Sequence, residues 1–169
     1  MKPAEVSTPS DREVLVKRSF DAPVDLVWQA YTEPALMRRW LTAMPGWSMP
    51  VCEMDVHVGG KYRWRWRDDE NGTEFGFTGE MLEVAPHSKI VHTQIYDPGD
   101  MGGSMGDEPS IITVTFDEAD GITNVATTIK FASTADRDAA LSTGMTDGME
   151  MSYQSLDGVL AGSNLEGES

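Results

Sequence analysis

Gly59-Gly60-Lys61-Tyr62-Arg63-Trp64-Arg65-Trp66-Arg67 sets an aromatic residue at every second position from Tyr62 and a cation at each position between. Successive side chains of a strand point to opposite faces, so Tyr62, Trp64 and Trp66 share one face while Lys61, Arg63, Arg65 and Arg67 share the other. The alternation marks a strand with one apolar side. That side can belong to a packed core, a nucleic-acid platform or the wall of a ligand cavity, and the flanking sequence must decide which.

Working outward, the same texture extends from Pro50 to Phe131, where short alternating runs are separated by Gly, Pro, Asn and Asp. These runs predict strands over 51–58, 61–67, 74–84, 89–96, 111–117 and 123–131. Asn71-Gly72 and Asp120-Gly121 are hairpin signals. Short loops require antiparallel neighbours, because a parallel pair needs a crossover of about a dozen residues. The stretch from Asp97 to Pro109, rich in Gly, Met and acid, is long for a hairpin and reads as a flexible rim over a binding site or as an ordinary mobile loop. Its glycines do not form a phosphate cradle: no Gly-Lys-Ser/Thr ending follows, and the surrounding acids would repel phosphate.

Upstream, Glu13 to Phe20 predicts one more strand, which stops at Asp21-Ala22-Pro23; Asp21 can cap a helix that Pro23 enters near its first turn. Val24, Val27, Trp28 and Tyr31 then fall on one helical stripe, and after Glu33-Pro34 a second short helix carries Leu36, Met37, Trp40 and Leu41. Downstream, Ser133 to Asp136 supplies a cap and an acidic first turn. Leu141, Met145, Met149, Tyr153, Leu156 and Leu160 recur at steps of three and four. Gly144 and Gly148 each cost about 1 kcal/mol relative to Ala inside a helix, so the long helix is expected from about Thr146 to Ala161, after a separate turn over 135–141. Residues 1–11 and 163–169 are expected to be flexible tails around a single domain, 12–162.

Composition narrows the function classes. The chain has 169 residues, enough for one domain, and its 40 % hydrophobic and 24 % charged content is that of a globular protein. A formal charge of −15 opposes attraction to phosphate backbones. A nucleic-acid platform also needs aromatics and cations on one exposed face, whereas here they lie on opposite faces. No nucleic-acid partner is expected. The amino end lacks the apolar run of a signal peptide and nothing approaches the roughly 18 apolar residues of a span, so a cytoplasmic protein without membrane insertion is expected. Cys52, the single cysteine, is expected to be a small buried filler. His57, His87 and His92 show no metal-like pairing, and His57 and His87 are expected at the surface. Without a Gly-x-Ser-x-Gly elbow or a histidine partner for Cys52, no catalytic residue, metal or cofactor is assigned.

The order of elements is α+β: strand, two short helices, a six-stranded antiparallel meander, then one long helix whose stripe is the cover available for the apolar sheet face. A twisted seven-stranded sheet around a helix about 10 Å across leaves space for large side chains or a ligand.

The span from about Glu13 to Ala161 resembles the START-like superfamily with the helix-grip fold, and within it the bacterial branch related to the activator of the heat-shock-90 chaperone ATPase. The resemblance is carried by Phe20-Asp21-Ala22-Pro23-Val24-Asp25-Leu26-Val27-Trp28, by Thr32-Glu33-Pro34-Ala35-Leu36 with Trp40, by Val58-Gly59-Gly60-Lys61-Tyr62-Arg63, and by Gly144-Met145-Thr146-Asp147-Gly148-Met149. It implies a curved seven-stranded antiparallel sheet, two short helices after strand 1, a long C-terminal helix across the concave face, and an apolar pocket between sheet and helix. Tyr62, Trp64 and Trp66 would then face inward, opposite Met145, Met149, Tyr153 and Leu156, with Trp28, Trp40, Phe75 and Phe77 completing the expected ligand contacts. Dry core packing is the alternative for each aromatic. The family commonly has Trp in the final helix where this chain has Met149, which makes that wall softer. The resemblance implies binding of a small hydrophobic molecule, aromatic or lipid-like. Its alternatives are a chaperone-ATPase-activator-like stress-response module working by protein contact, and a cyclase- or hydrolase-like enzyme related to those acting on aromatic polyketides. A monomer and a homodimer are both compatible with it.

Overall fold

The computed structural model describes residues 3–41, 46–97, 109–142 and 144–162, the side chains of Tyr96 and Asp97 excepted. Along the chain run β1 (Glu5–Ser7), β2 (Glu13–Phe20), α1 (Val24–Thr32), α2 (Pro34–Leu41), β3 (Trp47–Met54), β4 (Lys61–Asp68), β5 (Glu74–Ala85), β6 (Lys89–Asp97), β7 (Ser110–Ala119), β8 (Ile122–Lys130), α3 (Thr134–Ser142) and α4 (Met145–Gly162). The strands form one antiparallel sheet in the order β1-β2-β8-β7-β6-β5-β4-β3. Eight strands replace the seven expected. The extra one, β1, lies in the stretch read as a tail, and its three exposed residues pair with Leu15, Val16 and Lys17.

Local chemistry explains most boundaries. Asp120 and Gly121 both take positive φ, 57° and 78°, the pair of left-handed residues a two-residue type I′ hairpin requires between β7 and β8. β3 starts earlier and ends earlier than its apolar run, and its register shifts between Ser48 and Val51, around Pro50, which has no N–H to give a ladder. At α1 the expected Asp21 cap is absent. Pro23 is the N-cap and makes no side-chain bond; instead the Val24 N–H donates to Glu118 Oε1 at 2.7 Å, so a carboxylate from β7 serves the helix start. Ser133 does cap α3, its Oγ accepting the Asp136 N–H at 3.1 Å. Gly144, with φ of 80°, breaks the chain between α3 and α4, and α4 begins one residue earlier than expected, at Met145.

The alternation of β2 sends Val14, Val16, Arg18 and Phe20 to the inner face, where all four are buried. The three apolar ones join Val125 of β8 and Tyr153, Leu156 and Leu160 of α4 in the main core. Arg18, 3 % exposed, would be costly there alone. It is held by two carboxylates of α4: Nε and Nη2 donate to Glu150 at 3.2 Å each, and Nη1 and Nη2 donate to Asp157 at 3.0 and 2.7 Å. Glu150 and Asp157 are seven residues apart, about two turns, and so lie on one side of the helix. The guanidinium also lies 5.1 Å from the Phe20 ring centroid. Burial opposes ionisation of Glu150, but the hydrogen bond from Arg18, with those from the Ala4 N–H and Gln154, outweighs it and holds the carboxyl below its ordinary value. Two links fix α4 across the sheet: apolar burial and this clamp.

Candidate functional site: a cavity between sheet and helix

The aromatic face of β4 looks inward. Register sets Trp64 opposite Phe77 and Trp66 opposite Phe75, so four large rings from two strands line one side of a hollow. The hollow has a volume of about 410 Å³, within the roughly 300–1,000 Å³ typical of small-molecule sites. Trp66 and Phe75 stack at 5.5 Å, Trp47 meets Phe75 edge-on at 5.5 Å, and the Trp66 Nε1 donates to Leu41 O of α2 at 3.1 Å. These contacts hold the rings in place within the wall, to which Leu41 and Trp47 also belong. Strands β6 to β8 supply a different wall, with Ile90, Ile112, Val114 and Ile129 among His92, Gln94 and Thr127. Met145, Gly148, Met149, Ser152 and Tyr153 of α4 close it from the other side, together with Trp40 of α2 and Tyr31 of α1.

Of the residues expected to meet a ligand, Trp40, Trp64, Trp66, Phe75, Phe77, Met145, Met149 and Tyr153 lie on this wall. Three do not. Trp28 of α1 packs edge-on to Phe116 of β7 at 5.2 Å and lies beside His87 at 5.7 Å. Leu156 is fully buried in the core one turn beyond Tyr153. Tyr62 is opposite Gly79, and its ring occupies the space a side chain would take there: a Cβ on Gly79 would come within 2.4 Å of the ring. The Tyr62 hydroxyl donates to Thr93 O at 2.7 Å, so this ring seals a glycine gap in the sheet instead of facing the hollow.

His92 was not singled out from sequence. It follows Ile90 by two in β6 and shares its inward face, is 7 % exposed, and lines the cavity. Its Nδ1 is 2.9 Å from Thr93 O; a carbonyl only accepts, so Nδ1 carries the proton and Nε2 the lone pair. Burial lowers its pKa despite that backbone bond, which keeps the ring neutral. His57 and His87 are exposed as expected, beside Asp55 at 2.6 Å and Asp25 at 3.6 Å. Cys52 is buried, and burial raises its pKa, so the thiol stays protonated. The phenols of the wall are neutral too: burial pushes Tyr153 up to about 12 and Tyr31 well above its ordinary value. Among the described residues no group of three or more His, Cys, Asp and Glu could hold a metal ion. Of the loop read as a possible rim, 97–109, residues 98–108 lie outside the described residues.

The cations of β4 face outward, where carboxylates of the neighbouring strand meet them. Lys61 pairs with Glu80 at 3.2 Å, and Glu74 takes Arg65 at 3.0 Å and Arg67 at 3.8 Å. A hollow of about 440 Å³ on this outer face is bordered by Glu53, Lys61, Arg63 and Glu80, charges of both signs that offer no single-sign field to a ligand.

An α-helix gripped by a curved antiparallel sheet around an apolar cavity is the helix-grip fold of START-like proteins. Residues 21–161 match the profile of the family described as activator of Hsp90 ATPase homolog 1-like protein, and the chain belongs to that family. A crystal structure of a Rhodobacter sphaeroides protein superposes with a TM-score of 0.86 at 28 % identity, covering 95 % of this chain and 99 % of the other. A Mycobacterium smegmatis protein gives 0.81 at 21 % identity over 94 % and 97 %, and a Nitrosomonas europaea protein 0.78 at 22 % over 92 % and 98 %; at those identities the likeness is one of fold. No curated protein sequence matches significantly. Among the described residues no helix is long and apolar enough to cross a membrane.

Proposed function

We propose that the protein binds a small hydrophobic molecule in the cavity between β3–β8 and α4. The observation that carries this reading is the wall itself, an enclosure of about 410 Å³ built from aromatic, Met and Ile side chains. Trp40, Trp64, Trp66, Phe75, Phe77, Met145, Met149 and Tyr153 are its contact residues. Methionines on α4 suit ligands of varied outline, because an unbranched thioether re-packs at little cost. Proton-transfer chemistry has little to work with: no Asp, Glu, Lys or Arg belongs to the described wall, so a cyclase- or hydrolase-like reaction would depend on His92 and the neutral phenols.

A thermal-shift screen of aromatic and lipid-like compounds tests the reading. A compound at about 100 times its Kd stabilises the fold by about 2.7 kcal/mol, and Met149→Ala, on a partly exposed wall position, removes the shift while leaving the protein folded. Absence of any shift across a broad library, together with stimulation of a chaperone ATPase by the isolated protein, would replace this reading with an activator working through its surface.

A further inference from the structure

The chemistry of the cavity wall specifies more than hydrophobicity. Every described residue on it is uncharged, and the groups able to titrate are held neutral by burial: His92 with Nδ1 committed to Thr93 O, Tyr31 and Tyr153 as phenols. An ion entering this wall would lose its water and meet no counter-charge. Yet the wall is not satisfied internally. The Nε1 of Trp64 and the Oη of Tyr31 are buried and have no hydrogen-bond partner. Tyr153 adds to the upward shift of the Tyr31 pKa, but no hydrogen bond of ordinary geometry satisfies the Tyr31 Oη. Buried polar atoms in folded proteins are nearly always paired, and unpaired ones cluster where something else supplies the partner. An indole N–H is a donor only, so what Trp64 lacks is an acceptor.

The two sides of the hollow add an orientation. Trp64, Trp66, Phe75 and Phe77 on β4 and β5 supply aromatic rings, whereas β6 to β8 supply branched aliphatic side chains with His92, Gln94 and Thr127. A flat ring system matches the first, and a compact substituent matches the second.

We propose that the cavity selects uncharged aromatic molecules carrying a hydrogen-bond-accepting oxygen, with Trp64 and Tyr31 as the donors that await it. This deepens the ligand-binding reading and rests on it. The test uses three compounds that share one tricyclic frame and differ at a single carbon: 9-fluorenone, fluorene and fluorene-9-carboxylate, titrated calorimetrically into the full chain at pH 7.5. The ketone is expected to bind roughly tenfold more tightly than the hydrocarbon, although the hydrocarbon is the more apolar of the two, and roughly tenfold or more tightly than the carboxylate. Trp64→Phe and Tyr31→Phe each keep a ring and delete a donor, and loss of the ketone preference in either one assigns the contact and supports the proposal. Equal binding of fluorene and fluorenone, binding of the carboxylate as tight as the ketone, or a ketone preference unchanged in both variants would overturn it while leaving the cavity a binding site. Failure of all three compounds to bind the folded wild-type chain would overturn it as well, and the broad thermal-shift screen then decides whether the cavity binds anything. The three-compound comparison on the wild type needs no variant to fold, and Tyr31→Phe removes one unpaired oxygen.

Discussion

The two halves of α4 face different tasks. From Tyr153 onward, Tyr153, Leu156, Val159 and Leu160 are buried and Asp157 grips Arg18. Before it, Met145, Met149 and Ser152 are only partly covered, Gly148 is exposed, and this half borders the cavity. One helix therefore carries a segment buried in the core and a segment that borders the cavity and is tied to the sheet through Glu150 and Arg18. Fold stability and the shape of the cavity depend on residues a few turns apart, and they can be altered separately.

The sharpest way to break this contrast is in the anchored half. Leu156→Ala opens a cavity in the core and is expected to cost about 3–4 kcal/mol in urea denaturation, with values for Leu→Ala spanning 2–5. A cost under about 1 kcal/mol would mean that α4 is not anchored there. Next in size, Arg18→Met leaves Glu150 and Asp157 without their partner. The usual loss for a broken buried pair is discounted because these carboxylates are 18 % and 30 % exposed, which gives about 2–3 kcal/mol. The added change Glu150→Gln should cost less in the Arg18→Met background than in the wild type; simple additivity of the two would remove the clamp from the account.

Acid should then separate the halves in order. His92, on the cavity wall, has a folded pKa below its unfolded one, so its contribution is complete above about pH 6.5 and declines as pH falls past that value, by up to about 1.4 kcal/mol per pH unit. Glu150 is likewise depressed, so the clamp keeps its contribution until the carboxylate range and loses it as pH falls through the folded pKa of that group. Stability measured between pH 7 and 5.5 is expected to fall in the wild type and to be flat in His92→Gln, while Glu150→Gln keeps the wild-type slope there and differs only below about pH 4.5. The reverse assignment of slopes would contradict both environments. The smallest effect has the opposite sign: a Cβ on Gly148 meets nothing within 4 Å, so Gly148→Ala in the looser half should raise stability by about 0.5–1 kcal/mol.

Period-two alternation made the inward face of β4 and β5 legible, because Trp64, Trp66, Phe75 and Phe77 obey it without interruption. The same rule put Tyr62 on that face and could not reveal that Gly79 opposite it leaves a gap to be filled. A helical stripe announces burial without saying against what, and so Trp28 was grouped with the cavity although its neighbour is Phe116. His92 was readable from its spacing to Ile90, but a histidine among apolar residues gives no sign of its direction unless the strand register is known. The clamp was out of reach: Arg18 lies 132 and 139 residues from its two partners, and long-range pairing of charges leaves no local pattern. β1 escaped for the opposite reason, since three exposed residues, Glu5, Val6 and Ser7, are too few to carry a periodicity.

The irregularity in β3 around Pro50 has a consequence for the molecule in company. β3 is the last strand of the sheet on its side, and an uninterrupted border strand would offer a template on which further chains could stack into fibrils. Pro50 cannot donate, and the slip between Ser48 and Val51 breaks the spacing of the neighbouring groups, so an incoming strand finds no continuous row to zip against. The opposite border ends in a segment of only three residues that includes a glutamate. Both margins thus discourage growth of the sheet beyond one polypeptide.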